Sequence, residues 1–324
     1  MIVVTGGAGF IGSAIVCKLN QLGENKIIIV DELGTDDKWK NLVPLKFEEF
    51  IHKNDFISMI IDREVPSEIN AVIHMGANSS TTEKDADHLF SNNYLYTKEL
   101  AKYCLEKNIR FIYASSAATY GDGSQGFDDD ENKLETLRPL NMYGYSKQLF
   151  DLWAKKNDAF KKLVGLKYFN VYGPNEFHKG DMRSVVHKAF EQISDTGKVR
   201  LFKSMNSKYK DGEQLRDFIY IKDAVEMTLF FLDKSTVNGL FNVGTGKSRT
   251  WNDLVTSIFK AMNKPVNIEY IDLPQHLRDK YQYFTEAKME KIKKAGYGAS
   301  ITSLEDGVTD YVKKYLLGKL YLGT

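Results

Sequence analysis

Apolar and polar positions fall into two alternating periods along the chain, one of strands and one of helices. The β-branched run from Ile2 to Thr5 passes through glycines 6, 7, 9 and 12 into an amphipathic segment from Ser13 to Gln21, predicting strand, loop and helix. A second β run, Lys26 to Val30, ends in Asp31 and is followed by a polar, lysine-bearing loop through Lys40. Residues 41–63 mix a short apolar run with a helical pattern. Further strands are predicted at Ala71–His74, Phe111–Ala114 and Leu163–Phe169, separated by helices at Phe90–Lys107 and Ser146–Lys156. This alternation implies right-handed crossovers and a mostly parallel sheet. The acidic stretch from Asp128 to Glu135 reads as a solvated loop.

The regular alternation fades after the Gly173-Pro174 break. Helices at Arg183–Ile193 and Thr250–Met262, strands at Val199–Phe202 and Val266–Ile271, and a terminal helix at Leu304–Leu316 suggest a smaller, discontinuous lobe. Between them, Arg216–Tyr220 looks like a return to the main sheet, leading into a helix through Leu232. The expected division places residues 1–170 with 214–246 in one domain and 171–213 with 247–324 in the other.

Composition narrows the class. With 324 residues, 43% of them hydrophobic, the chain can bury a substantial core. A net charge of +1 gives no global field directed at nucleic acid or an anionic membrane. No run reaches the length of a transmembrane helix, and the glycine loop begins too near Met1 for a cleaved leader, so a cytoplasmic location is expected. Cys17 and Cys104 fall in helical patterns without Cys-x-x-Cys spacing and read as buried, reduced thiols. The six histidines lack metal-ligand spacing, and no metal is expected.

Glycine at the strand-to-helix turn allows a tight bend, close approach of a pyrophosphate, and contact between helix and strand, while the helix N-terminus offers free N–H groups. Asp31 follows about 20 residues after the loop, the spacing at which an acid bonds the ribose hydroxyls of a dinucleotide. The fold class is therefore α/β, a Rossmann-type doubly wound parallel sheet with a smaller C-terminal substrate-binding lobe. A second constellation sets Tyr143 and Lys147 one helical turn apart. A cation near the phenol favours phenolate, so Tyr143 could take a proton from an alcohol while Lys147 holds the nicotinamide ribose. The strand ending at Ser115-Ser116 precedes this helix and offers hydroxyls to the same substrate oxygen.

Together these residues resemble the extended short-chain dehydrogenase/reductase family, many of whose members act on nucleotide sugars. Sugar-nucleotide dehydratases carry an acid shortly after the serine, and the stretch Ser115 to Gly121 has none, which disfavours dehydration. The resemblance narrows to the ADP-glyceromanno-heptose 6-epimerases through Ser79-Ser80-Thr81-Thr82-Glu83, Tyr113 to Tyr120, Asn141 to Lys147 and Tyr168 to Pro174. Further matching words are His178-Lys179-Gly180, Arg216-Asp217-Phe218, Phe241 to Gly246 and Tyr281 to Thr285.

The resemblance implies oxidation of carbon six of the heptose to a ketone and its reduction from the opposite face, a step toward lipopolysaccharide core precursors. Two carbonyl orientations need two acid/base groups. Tyr143 would serve one and Lys179 the other, although by itself Lys179 is an ordinary loop lysine. Ser116 would polarise the carbonyl. Substrate contacts are implied for Ser116, Asn170, Asp181, Lys188, Phe202, Arg216 and Tyr281, with the Arg216 fork on the diphosphate. Arg216 could instead pair with Asp217.

Cofactor contacts are implied for Gly6, Gly9, Phe10, Ile11, Gly12, Asp31, Glu32, Lys38 and Lys53. Met75, Gly76, Ala77, Asn78, Ser79, Asn92, Lys147 and Val171 join them. Asp31 and Glu32 favour NAD, whereas Lys38 and Lys53 stand where the family has cations for a 2′-phosphate, and the expectation is NADP with NAD as the alternative. Homo-oligomers, commonly pentamers, are implied too.

Three departures from the family stand out. Asp181 replaces a serine, His187-Lys188 replaces a histidine and an apolar neighbour, and the segment Asn206–Gly212 is longer. An epimerase or reductase for another nucleotide sugar is the rival reading. A catalytically dead cofactor-sensing module would have no need of Ser116, Tyr143 and Lys147 together.

Overall fold

The computed structural model describes residues 1–65, 68–275 and 281–324. Strands β1 (Ile2–Thr5), β2 (Ile27–Asp31), β3 (Glu49–His52), β4 (Ala71–His74), β5 (Arg110–Ser116), β6 (Leu163–Tyr168) and β10 (Gly239–Val243) form one parallel sheet in the order β10-β6-β5-β4-β1-β2-β3. Every residue of β2, β4, β6 and β10 is buried, as expected of a parallel sheet covered on both faces. Helices α1 (Phe10–Gln21) and α7 (Ile221–Asp233) cover one face. On the other, Phe56 of α2 (Lys53–Asp62), Leu100 of α4 (Tyr96–Lys107) and Phe150 of α5 (Met142–Lys156) meet Val3, Val72 and Phe111 of the sheet. A short helix α3 (Ala86–Leu89) and a π turn at Phe90–Leu95 run directly into α4, so this helix starts earlier than the pattern predicts. Strands β2 and β4 flank β1 on opposite sides, which puts the topological switch point at the carboxyl end of β1.

Arg216–Tyr220 does not return to the main sheet. It lies in β9 (Leu215–Tyr220), which pairs in parallel with β7 (Asn170–Tyr172) and antiparallel with β11 (Ser248–Thr250) in a separate three-stranded sheet. The place beside β6 is taken by β10, whose wholly buried Gly-Leu-Phe-Asn-Val suits it better than a strand carrying Arg216 and Asp217. Helix α6 (Val185–Thr196), strands β8 (Val199–Phe202) and β12 (Ile268–Ile271), helix α8 (Trp251–Ala261), helix α9 (Glu290–Lys294) and helix α10 (Leu304–Asp310) complete the order. One apolar cluster runs from Ile15 of α1 through Val225 of α7 to Leu254 of α8 and Val308 of α10, so α8 and α10 are packed into the same core as the sheet. Among the described residues no helix is long and apolar enough to cross a membrane, and no cluster of residues could hold a metal ion.

Candidate active site

A cleft of about 980 Å³ opens at the carboxyl ends of β1, β4 and β5. One wall is the glycine loop. Gly6 has φ +66°, and a Cβ there would lie 2.6 Å from the Gly76 nitrogen, so only glycine lets the ends of β1 and β4 meet. Helix α1 begins at Phe10 behind Gly9, which supplies no side-chain cap, and its first turn carries no acid. Its N–H groups are thus left for an anion. Asp31 accepts from the Ala8 nitrogen at 2.9 Å, which ties the end of β2 to the loop. Lys38 Nζ stands 3.3 Å from Asp31 Oδ1, and Lys53 Nζ 2.9 Å from Glu32 Oε2. Lys53 also donates to Asn92 Oδ1 at 3.1 Å.

A buried polar chain sets the next segment. His74 contacts Thr5 Oγ1 at 2.5 Å and Thr97 Oγ1 at 2.8 Å, and burial pushes its imidazole down to about 3, which keeps it neutral. Asn93 then accepts from the Asn78 nitrogen at 2.9 Å and donates to the Asn78 carbonyl at 2.8 Å. These bonds hold Met75 to Ser79 along the cleft.

The reacting side comes from β5 and α5. Helix α5 begins at Met142, capped by Asn141 Oδ1 accepting from Gly144 at 2.8 Å, one turn earlier than the pattern suggests. Tyr143 and Lys147 therefore share one regular helix. Lys147 is buried and donates to the Ala114 carbonyl at 2.9 Å. Burial pushes its ammonium down to about 8, opposed by the Asp151 carboxylate. Tyr143 behaves differently from the sequence expectation, because burial raises its phenol and a hydrogen bond with Ser116, rather than Lys147, works against that rise.

Lys179 lines the same cleft from the turn Phe177–Met182, where Gly180 has φ +52°. Its ammonium lies 5.1 Å over the Phe10 ring, and burial lowers its pKa while Glu176 opposes the shift. Glu176 is itself fully buried and accepts from Ser184 N and Oγ, each at 2.6 Å, and from Tyr311 OH at 3.0 Å.

All the residues predicted for the cofactor line this cleft, as do Ser116, Tyr143, Asn170, Lys179 and Asp181. Lys188, Phe202, Arg216 and Tyr281 do not. Lys188 donates to the Asp181 carbonyl. Arg216 is buried between the rings of Trp251 and Tyr281, at 5.5 and 5.4 Å, and donates to the Gln282 carbonyl. It forms no ion pair with Asp217, whose carboxylate is filled by Thr245 N and Oγ1, Gly246 N and Ala287 N at 2.7–3.0 Å. Trp251 lines the cleft on its other side and so links the two groups. Phe202 is adjacent through its carbonyl, which Gln214 contacts at 3.4 Å. Thr81, Thr82, His88 and Trp251 line the cleft without having been given a role by the sequence. The first two lie in the Ser-Ser-Thr-Thr-Glu word, whereas nothing in sequence marked Trp251.

A family model described as the NAD dependent epimerase/dehydratase family matches residues 2–244. The chain belongs to that family. It is 57% identical to an ADP-L-glycero-D-manno-heptose-6-epimerase of Nitratidesulfovibrio vulgaris over 98% of each chain. The crystal structure of the Helicobacter pylori ADP-L-glycero-D-manno-heptose-6-epimerase superimposes with a TM-score of 0.81 at 29% identity, covering 97% of this chain and 95% of that one. A Thermus thermophilus UDP-glucose 4-epimerase in complex with NAD matches with a TM-score of 0.75 at 25% identity, covering 96% and 97%. This epimerase/dehydratase family member thus has the Rossmann-type fold of solved epimerases.

Proposed function

We propose that this enzyme inverts carbon six of the heptose in ADP-glycero-manno-heptose through a transient ketone. The observation carrying this reading is one cleft lined by Ser116, Tyr143 and Lys147 together with Lys179. The glycine loop, Asp31 and the uncapped start of α1 fit a nicotinamide dinucleotide, with Lys147 and Asn92 further along. When bound, that cofactor supplies a reversible acceptor for the hydride of carbon six. Tyr143 takes the hydroxyl proton in one orientation while Ser116 holds the oxygen. After the carbonyl has turned, Lys179 gives a proton to the oxygen as the hydride returns to carbon six, and the two roles exchange in the reverse direction. Asn170 and Asp181 bound the sugar, with Lys188 holding the Asp181 carbonyl, and Arg216 serves the diphosphate from beyond the cleft lining, with Tyr281 and Phe202 as further substrate contacts and residues 171–213 and 247–324 acting as the substrate lobe.

NADP is the proposed cofactor, supported by two ammoniums, Lys38 and Lys53, at the end of β2. NAD is the alternative that Asp31 and Glu32 favour, and denaturing the purified protein and assaying the released dinucleotide for a 2′-phosphate distinguishes them. A cytoplasmic homo-oligomer, a pentamer by resemblance, completes the proposal. The test is incubation of purified protein with ADP-glycero-manno-heptose and, in parallel, UDP-sugars, following ring and side-chain configuration by NMR. Interconversion of the two carbon-six epimers is expected. An unchanged heptose with an epimerised UDP-sugar overturns the substrate and leaves the rival nucleotide-sugar epimerase.

A further inference from the structure

Behind the cleft lies an ion pair that the reaction as described does not use. Asp151 stands one turn beyond Lys147 on α5, and both it and Lys167 of β6 are wholly buried, 3.0 Å apart. Asp151 Oδ1 accepts from Tyr113 OH at 2.7 Å, and Oδ2 accepts from Ser115 Oγ at 2.8 Å. Lys167 spends a second bond on Thr119 Oγ1 at 2.5 Å, and Thr119 donates to the Ser116 carbonyl at 2.8 Å. The remaining side of the ammonium faces the Tyr120 ring at 4.7 Å.

A buried pair of this kind contributes little net stability, since apolar residues of the same volume often do as well. Its position is more telling. Every bond it makes ends on residues 113–120, the stretch whose Ala114 carbonyl anchors Lys147 and whose Ser116 hydroxyl meets Tyr143. The groups acting on Lys147 are Asp151 from its own helix and neutral His74 from β4, with Lys167 bonded to Asp151 and in turn feeling Asp129. Asp151 is therefore the anion that both buried ammoniums share, whereas Lys167 also feels the Asp129 carboxylate.

We propose that Asp151 and Lys167 are positioning residues: Asp151 keeps Lys147 charged for cofactor and phenol, and the pair fixes Ser116 through Ser115 and Thr119. This rests on the role given to Lys147 above. The charge balance yields a sign that a merely structural role would not. Asp151→Asn removes the carboxylate acting on Lys147 and leaves Lys167 only the more remote Asp129, so Lys147 loses its proton more easily. Lys167→Met added to Asp151→Asn removes the uncompensated cation and restores part of the loss.

The experiment measures dinucleotide affinity by fluorescence, and kcat, as functions of pH. In the unaltered protein both fall on the alkaline side as Lys147 titrates. Asp151→Asn is expected to move that limb down by roughly one pH unit or more, and the double variant is expected to lie between the two. An unmoved limb in Asp151→Asn, or a double variant displaced further than the single one, overturns the proposal. If Asp151→Asn does not fold, the double variant carries the test alone, with a limb below that of the unaltered protein expected and an unmoved limb overturning it. Lys147→Met separates the two levels: retained affinity and turnover there defeat the role of Lys147 itself, whereas their loss together with unmoved limbs defeats only the inference about Asp151 and Lys167.

Discussion

Tyr143 and Lys147 stand four residues apart on one helix and meet opposite conditions. Burial pushes the phenol up and the ammonium down, so it disfavours the charged form of each. Ser116 offsets this at the phenol and Asp151 at the ammonium. Tyr143→Phe deletes only the ionisable oxygen, and turnover should fall about 10²–10⁴-fold with dinucleotide affinity unchanged. Steady-state kinetics alongside a binding titration check both halves. Lys179 invites a sharper test, because it lines the same cleft from a separate turn. Lys179→Met keeps the stem over Phe10 and removes the charge. One epimer should then still reduce the bound nicotinamide, visible in its absorbance, while the other barely starts. Near-normal interconversion of both would leave Lys179 a loop lysine and Tyr143 serving both faces.

At the scale of elements, the glycine loop is where sequence and geometry agree most closely. Gly6→Ala forces a side chain into φ +66° and to within 2.6 Å of the Gly76 nitrogen. Such strain costs about 1–3 kcal/mol. The ends of β1 and β4 must part, so weaker dinucleotide binding and a lower Tm are expected, whereas an unaltered Kd would show that the loop tolerates a Cβ. Strands β1, β2, β4, β5 and β6 were legible because parallel, doubly covered strands read as continuous apolar runs, as in Ile27–Asp31 and Ala71–His74, whereas β3 and β10 were missed. The placement of Arg216–Tyr220 was not legible. Its apolar Phe-Ile-Tyr core is equally suited to a small neighbouring sheet, and only competition with Gly239–Val243 for the edge of β6 decides. Likewise, Tyr143 to Lys147 was readable from spacing, whereas Asp151 and Lys167 belong to separate elements joined only by the fold. Lys179, Arg216 and Tyr281 drew their roles from resemblance, since a lone lysine or arginine carries no periodic signal.

At the scale of the whole molecule, the loop that carries Lys179, the proposed second base, is gripped from remote stretches of chain. Asn175 donates to Ser13 Oγ of α1 at 2.9 Å, accepts from the Leu322 nitrogen at 2.8 Å, and gives its carbonyl to Asn41 at 3.2 Å. Asn41 reaches Ala8 in the glycine loop at 2.9 Å, so cofactor loop and Lys179 loop share a buried amide. Tyr321 packs on Phe177 with ring centroids 5.2 Å apart, and Leu322 is buried. Removing residues 319–324 deletes the Leu322 bond and an apolar side chain that contributes roughly 1.5–3 kcal/mol by burial. The sheet and the glycine loop keep their own bonds. Dinucleotide binding should therefore survive, while Lys179 loses its fixed place. A misplacement near 1 Å can cost on the order of 10²-fold in rate. Turnover should thus fall tenfold or more, and it should fall unequally, reproducing the direction dependence of Lys179→Met. Paired half-reaction measurements on the shortened protein and on Lys179→Met decide the matter. Equal loss in both directions together with loss of dinucleotide would mean that residues 319–324 support the core as a whole, and that the grip on the Lys179 loop lies elsewhere.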